Sequence, residues 1–186
     1  MRIPAAIASL CQDGKLERTR GRAGEVILAE LRYSRTRFPD RFHSLAEAVS
    51  VLEEELDELK DAVRANMTEH ARAEATQVAA MALRLIVDLE DRASSEARDQ
   101  LAVQAAVSQA ARSQPAEPLI SAHEGRGFIR GRHEQLCMAL ASESIEPEEQ
   151  MRRVVKAAYA IAVLALRFVA EVPADTHSRA REVYRR

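Results

Sequence analysis

Hydrophobic residues recur at helical spacing along most of the chain. Between residues 45 and 63 they follow one another at alternating steps of four and three, which places a single apolar face on a helix. The members of this series are Leu45, Val49, Leu52, Leu56, Leu59 and Val63. Between residues 78 and 87 nearly every position is apolar, which predicts a helix that is covered on more than one side. The pattern predicts an all-α protein.

Start and stop signals divide this pattern into six helices. Pro39, between Phe38 and Asp40, ends the first helix, and Ser44 with Glu47 forms a capping box at the start of the second. No glycine occurs between residues 24 and 125 and no proline between residues 39 and 115, which argues against the frequent turns of a sheet. The predicted helices span 16–36, 44–63, 69–90, 94–112, 121–140 and 148–172.

The second half of the chain repeats features of the first. Residues 121–124 match the capping box at residues 44–47, and residues 165–172 parallel residues 82–89, at offsets of 77 and 83. We interpret this as an internal duplication of a helical hairpin, with two hairpins packed into one bundle. The predicted organisation is an N-terminal half over 1–112, a linker over 113–118 and a second half over 119–186.

Composition narrows the class of protein further. Of the 186 residues, 47% are apolar, and 27 basic residues nearly balance 29 acidic ones, for a net charge of −2. This balance argues against binding of nucleic acid through bulk electrostatics. The longest apolar run, 157–166, is short of the roughly 20 residues of a membrane span. Two cysteines far apart, Cys11 and Cys137, fit a reducing compartment, so we expect a soluble cytoplasmic protein without membrane contact.

Acidic residues form the strongest chemical signal. Glu54, Glu55 and Glu58 lie within one turn or so of the second helix, and Glu74 and Gln77 lie three apart on the third. If the two helices are antiparallel neighbours, these side chains converge, and convergent carboxylates repel one another unless a cation lies between them. Hard oxygen ligands suit Mg²⁺ or Mn²⁺. A solvated acidic helix face is the alternative interpretation.

The spacing of these residues resembles the signature of the MazG-like all-α nucleotide pyrophosphohydrolases. That signature is EExxE, followed about sixteen residues later by ExxD on an alanine-rich helix; here Glu74 follows Glu58 by sixteen. The segments 42–48 and 78–82 are similar too, and the resemblance extends over about 24–90 and more weakly over 119–172. It implies hydrolysis of a nucleoside triphosphate to a monophosphate and pyrophosphate. It also implies Mg²⁺ held by Glu54, Glu55, Glu58, Glu74 and Gln77, with Glu55 and Glu58 as catalytic residues.

Two departures from the family pattern leave an alternative open. Gln77 stands where the family has Asp, so the position brings no charge. In the second half the positions of the ligands are neutral or basic: Gly131, Arg132, Gln135, Ala157 and Ala160. The bundle therefore has at most one active site, and the alternative is an inactive MazG-like module that binds a nucleotide or another protein. Pairing of two chains as a homodimer is left open.

Several other residues have more than one interpretation. His133 and Cys137, four apart, form half of a zinc site, but without a second pair ordinary packing is preferred. Asp88 could replace the missing carboxylate, although an ion pair with Arg84 is preferred. His123 is expected in the first turn of its helix.

Three arginines either contact substrate phosphates or are solvated: Arg126, Arg130 and Arg132. The arginines up to residue 41 alternate with only a few aromatic residues, namely Tyr33, Phe38 and Phe42. Binding of nucleic acid is therefore not favoured.

Overall fold

Six α-helices make up the fold. The computed structural model describes residues 5–89, 96–113, 117–142 and 144–173, with side chains from residue 14 onward. The helices are α1 (Ala5–Arg37), α2 (Leu45–Arg64), α3 (Thr68–Leu89), α4 (Glu96–Ala110), α5 (Ala122–Leu140) and α6 (Pro147–Glu171). No strand occurs within these described ranges, and the prediction of an all-α bundle is confirmed.

The predicted capping boxes are present at α2 and α5. The Ser44 hydroxyl accepts a hydrogen bond from the backbone N–H of Glu47 at 3.1 Å, and the Glu47 carboxylate accepts one from the N–H of His43 at 2.5 Å. At α5 the Ser121 hydroxyl accepts from the N–H of Glu124, also at 3.1 Å. Each serine satisfies an amide that the first helical turn leaves without a partner, and the Glu47 carboxylate binds the amide just before the N-cap, which explains why both helices begin where predicted.

Two helices differ in length from their predictions. The first begins at Ala5, not at residue 16. A glycine in a helix interior costs only about 1 kcal/mol, so Gly14 does not interrupt it. The fourth ends at Ala110, two residues earlier than predicted, in a turn where the N–H of Arg112 donates to the carbonyl of Gln109. Residues 94 and 95, the predicted start of this helix, lie outside the described residues.

One hydrophobic core extends through both predicted halves. The mainly apolar helices α3 and α6 pack on each other, α2 covers α3, and α5 covers α6. The long helix α1 contacts α3, α4 and α6. All six helices contribute buried side chains, among them Ile27, Leu52, Leu83, Val103, Ile129 and Leu166. Among the described helices, none has a stretch sufficiently long and apolar to cross a membrane.

Two buried arginines make matching connections in the two halves. Arg84 on α3 donates to the carbonyls of Phe38 and Asp40, both at 2.7 Å, and so joins α3 to the segment before α2. Arg167 on α6 donates to the carbonyl of Glu117 at 2.6 Å and so joins α6 to the segment before α5. The offset of 83 between these arginines equals the offset between residues 82–89 and 165–172. The duplication itself, and the boundaries drawn from it, stay predictions.

Candidate functional site

A short turn brings the two acidic helices together. Only residues 65–67 separate α2 from α3, so the helices are adjacent. Asn66 adopts a φ of 55°, in the left-handed region that Asn tolerates better than most residues. The N–H of Met67 donates to the carbonyl of Ala62 at 3.0 Å, which closes the end of α2. This local geometry directs the acidic faces of α2 and α3 toward each other.

Three of the predicted site residues converge. One carboxylate oxygen from each of Glu55, Glu58 and Glu74 lies within 4.8 Å of the other two. Glu55 and Glu58 are three apart on α2 and share a face, while Glu74 approaches from α3. We call these three residues the acidic cluster.

The acidic cluster perturbs the acidity of its own members. Glu74 is buried, and this burial, together with a hydrogen bond to Glu58 and repulsion by it, raises the pKa of Glu74. His70, whose Nδ1 lies 3.3 Å from the Glu74 carboxylate, and Gln77 act in the opposite direction. Burial also raises the pKa of Glu55 to about 7, with repulsion by Glu58 and Glu74 adding to it. At neutral pH the cluster therefore favours a bound proton or a bound cation.

The donor set of the acidic cluster fits a hard divalent cation. The Oε2 atom of Glu55 is buried and has no hydrogen-bond partner among the described residues, although a buried polar oxygen is normally paired. Mg²⁺ and Mn²⁺ prefer carboxylate oxygens. Mg²⁺ holds oxygens at about 2.1 Å, so adjacent ligands are about 3 Å apart and opposite ligands about 4.2 Å apart, and side-chain movements of about 1 Å bring oxygens that lie within 4.8 Å of one another to those distances.

The other two predicted ligands take different places. Glu54 is exposed and lies outside the acidic cluster, on the wall of the adjoining cleft. Gln77 donates from Nε2 to the Glu74 carboxylate at 2.8 Å. In this arrangement Gln77 orients Glu74 and adds no charge. Ligation by either residue stays a prediction.

A cleft of about 640 Å³ adjoins the acidic cluster. Its walls come from the end of α1, the segment before α2, and the faces of α2 and α3 that carry Glu55 and Gln77. Aromatic and basic side chains line it together: Tyr33, Arg37, Phe38, Arg41 and Phe42. None of these residues was predicted to belong to the site. The alternation of arginine and aromatic residues over 37–42 was the available signal, but only the fold directs that segment toward the carboxylates.

Arg84 forms the inner end of this cleft and is fixed in place. Its guanidinium donates to the Ser34 hydroxyl at 2.6 Å and lies 4.9 Å from the centre of the Phe42 ring. It also forms an ion pair with Asp88 at 3.4 Å, which confirms the preferred interpretation of that pair. Arg35 approaches the other oxygen of Asp88 at 2.9 Å. Two arginines thus hold Asp88, and it does not join the acidic cluster.

The second half carries a basic cleft at the positions that correspond to the acidic cluster. One cleft of about 320 Å³ is lined by Arg132 and Gln135 on α5 and by Ala157 on α6. In the sequence these three residues align with site residues of the first half. Arg153 and Lys156 line it too, and its described lining residues include no carboxylate. The charge at this position is therefore the reverse of that in the first half. His123 lies in the first turn of α5, as predicted.

Two of the second-half arginines face a third cleft, between α2 and α5. This cleft, of about 330 Å³, is lined by Arg126 and Arg130 on α5 and by Glu53 and Asp57 on α2. No member of the acidic cluster lines it. Burial, with repulsion by neighbouring arginines, lowers the pKa of Arg126. The structure thus separates these arginines from the acidic cluster, and contact with a phosphate bound there is not supported.

His133 and Cys137 acquire a neighbour that sequence reasoning missed. A carboxylate oxygen of Glu53 lies 3.2 Å from Nε2 of His133, although 80 residues separate them. Nothing in the sequence distinguishes Glu53 from the acidic residues that follow it, so only the packing of α2 on α5 shows this contact.

Comparisons with models of known protein families, with curated proteins and with solved structures found no match. The resemblance to the MazG-like pyrophosphohydrolases therefore rests on the residues described above, and membership of that family is a proposal.

Proposed function

We propose that the protein is a MazG-like nucleoside triphosphate pyrophosphohydrolase that depends on Mg²⁺ or Mn²⁺ and has one active site, in the first half. The observation that carries this proposal is the acidic cluster, with its unpartnered buried oxygen, beside a cleft whose mixed lining includes arginine and aromatic side chains. Carboxylates that converge in this way repel each other, and a cation bound between them would remove that repulsion.

The residues of the acidic cluster would have different roles in the reaction, according to how deeply each side chain is buried. Glu74 is buried and held by Gln77, so it would supply a rigid ligand. Glu55 is partly buried and lines the cleft, and Glu58 is exposed, so both are open to water. Glu55 or Glu58 would orient the attacking water and accept its proton. When bound, Mg²⁺ would neutralise the charge that develops on the phosphate oxygens.

The adjoining cleft would hold the nucleotide. Its volume of about 640 Å³ lies within the range of small-molecule sites. Arg37 and Arg41 would contact phosphate oxygens, for which a guanidinium is well shaped. Tyr33, Phe38 or Phe42 would stack on the base, a contact worth roughly 1–3 kcal/mol in nucleic-acid complexes. In the reaction, the water oxygen bonds to the α-phosphorus, the bond from that phosphorus to the α–β bridging oxygen breaks, and pyrophosphate leaves.

The test is release of pyrophosphate from a panel of ribo- and deoxyribonucleoside triphosphates with Mg²⁺ or Mn²⁺. Phosphate is measured with and without added inorganic pyrophosphatase, which separates cleavage at the α–β bond from loss of the terminal phosphate. We expect Glu58→Gln and Glu74→Gln each to lower kcat by about 100-fold or more. Glu69→Gln is the matched control, because Glu69 is exposed on α3 and outside the acidic cluster. Absence of turnover on every nucleotide, or turnover that Glu58→Gln and Glu74→Gln leave unchanged, would reject the enzyme.

A second function is favoured by one observation, the neutral Gln77 amide at the position where the family has a carboxylate. A catalytically inactive bundle that binds a nucleotide or a protein would need no fourth charge. Nucleotide binding measured by calorimetry, with no release of pyrophosphate, identifies this alternative.

The compartment and the assembly are also proposals. We propose the cytoplasm, where nucleoside triphosphates and Mg²⁺ are abundant and thiols such as Cys137 remain reduced. Association of two chains is decided by light scattering over a range of protein concentrations.

A further inference from the structure

Three side chains from two helices meet beside the cleft between α2 and α5. The Glu53 carboxylate lies 3.2 Å from Nε2 of His133, and the Cys137 sulfur lies 3.4 Å from the same nitrogen. The sulfur lies 3.9 Å from the same Glu53 oxygen, so the three atoms form a closed triangle. His133 and Cys137 are one helical turn apart on α5, and Glu53 approaches from α2.

The sides of this triangle match the edges of a tetrahedral zinc site. Typical bonds to Zn²⁺ are about 2.3 Å for sulfur and about 2.1 Å for nitrogen and oxygen, which places nitrogen and oxygen about 3.4 Å apart and sulfur about 3.6 Å from each. The observed separations of 3.2, 3.4 and 3.9 Å each lie within about 0.3 Å of these values. One ion can therefore contact all three atoms after small movements of the side chains.

The donor types distinguish this triangle from the acidic cluster. A thiolate and an imidazole select zinc and similar transition metals, whereas three carboxylates suit Mg²⁺ or Mn²⁺. Burial and the nearby Glu53 carboxylate raise the pKa of the Cys137 thiol, so the thiol carries a proton in the metal-free protein and would lose it to solvent when a metal binds. Glu53 and His133 also line the cleft between α2 and α5, which supplies a path of entry and room for a water as fourth ligand.

We propose that Glu53, His133 and Cys137 form a binding site for a zinc-like divalent ion that links α2 to α5. The site is independent of the proposed hydrolase, because it shares no residue with the acidic cluster. It would connect one helix of each half of the chain, and the bound ion would stabilise that contact.

The test uses the full chain, reduced and stripped of metal, with Co²⁺ as the spectroscopic probe and Zn²⁺ as competitor. We expect about one equivalent of Co²⁺ to produce a thiolate-to-cobalt charge-transfer band with the ligand-field bands of a four-coordinate ion, and Zn²⁺ to abolish both. Cys137→Ala should remove the charge-transfer band, and His133→Ala and Glu53→Gln should each weaken Co²⁺ binding more than about tenfold.

Two control variants should leave the bands intact. Cys11→Ala removes the other thiol, and Glu134→Gln removes a carboxylate beside His133 that is not part of the triangle. Binding of Co²⁺ at the acidic cluster supplies no sulfur ligand, so the charge-transfer band reports on Cys137 whether or not the protein hydrolyses nucleotides.

A second measurement avoids dependence on the folding of the Cys137 variant. In the Cys11→Ala protein, Zn²⁺ should slow alkylation of Cys137 at least about tenfold, because a metal-bound thiolate is a poor nucleophile. Zn²⁺ at about 100 times its Kd should also raise Tm by about 5 °C or more. The proposal is overturned if wild type shows no charge-transfer band, if the band survives Cys137→Ala, or if Zn²⁺ leaves the alkylation rate unchanged.

Discussion

Replacing Glu55 by Gln should stabilise the metal-free protein while removing its proposed activity. Glu55 lies between α2 and α3, where burial first, and then repulsion by Glu58, Glu74, Glu30 and Glu54, disfavours its charge. A neutral amide of nearly the same size avoids that cost. A gain in stability from loss of a site residue is unusual, because most substitutions destabilise.

The magnitude follows from the raised pKa. An increase from the ordinary value of 4.5 to about 7 corresponds to about 3.4 kcal/mol, at about 1.4 kcal/mol for each tenfold change in acidity. Because Glu55 is only partly buried, solvent reduces this cost of burial and repulsion, and we expect about 2 kcal/mol at pH 8.

The sign of the pH dependence is set by proton binding. Between pH 4.5 and about 7 the folded wild type keeps a proton on Glu55 that the unfolded chain releases. The folded state binds more protons in this window, so stability falls as the pH rises through it. Glu55→Gln lacks this contribution, so its advantage should be near zero at about pH 4.5 and complete near pH 8.

Urea unfolding followed by far-UV circular dichroism, in EDTA at pH 4.5 and pH 8, measures the difference. Glu54→Gln is the matched control, because Glu54 is adjacent and exposed, and its effect should stay below about 0.5 kcal/mol. Saturating Mg²⁺ should stabilise wild type and not Glu55→Gln, which reduces or reverses the difference. If Glu55→Gln is no more stable than wild type at pH 8 in EDTA, the reasoning about the crowded carboxylates is wrong.

Three further predictions concern packing, the buried ion pair and the neutral amide. Gly125→Ala should destabilise the protein by about 1–3 kcal/mol in urea unfolding, because a Cβ there would lie 2.6 Å from the Phe168 ring. Gly127→Ala, where a Cβ would have nothing within 4 Å, should stabilise the protein by about 0.5–1 kcal/mol. Equal effects of the two substitutions would contradict the packing of Gly125 against Phe168. Arg167→Met should cost about 1–3 kcal/mol in the same assay, since it removes one of the two arginine partners of the buried Glu171 carboxylate and the donor to the carbonyl of Glu117. An unchanged stability would show that Arg20 alone compensates that carboxylate. Gln77→Asp should strengthen Mg²⁺ binding in calorimetry by adding a charge beside the acidic cluster, and unchanged affinity would place residue 77 away from the ion.

Much of the helical framework could be predicted because its signals are local. The capping serines Ser44 and Ser121 and the seam through Leu52 act within one or two turns of their own helix, so spacing alone was enough. The start of α1 was predicted too late: the helix continues through Gly14, which weakens a helix without ending it.

The convergence of Glu55, Glu58 and Glu74 was also predictable, because two carboxylates share a helix face and a three-residue turn leaves α3 only one place to pack. The exclusion of Glu54 from that cluster was not predictable. Adjacent residues on a helix point about 100° apart, and the rotation of α2 against α3 decides which of the two faces inward.

The cleft and the Glu53–His133–Cys137 triangle depend on contacts between distant parts of the chain. Arg41 reaches the acidic side of α2 only because Arg84 fixes the segment before that helix. Glu53 reaches His133 only because α2 and α5 pack at one particular register. Periodicity and capping therefore determined which helices form and which faces they bury. The angles and registers at which those helices pack decided which polar side chains meet, because side-chain packing across the whole core sets them and no local pattern in the sequence encodes them.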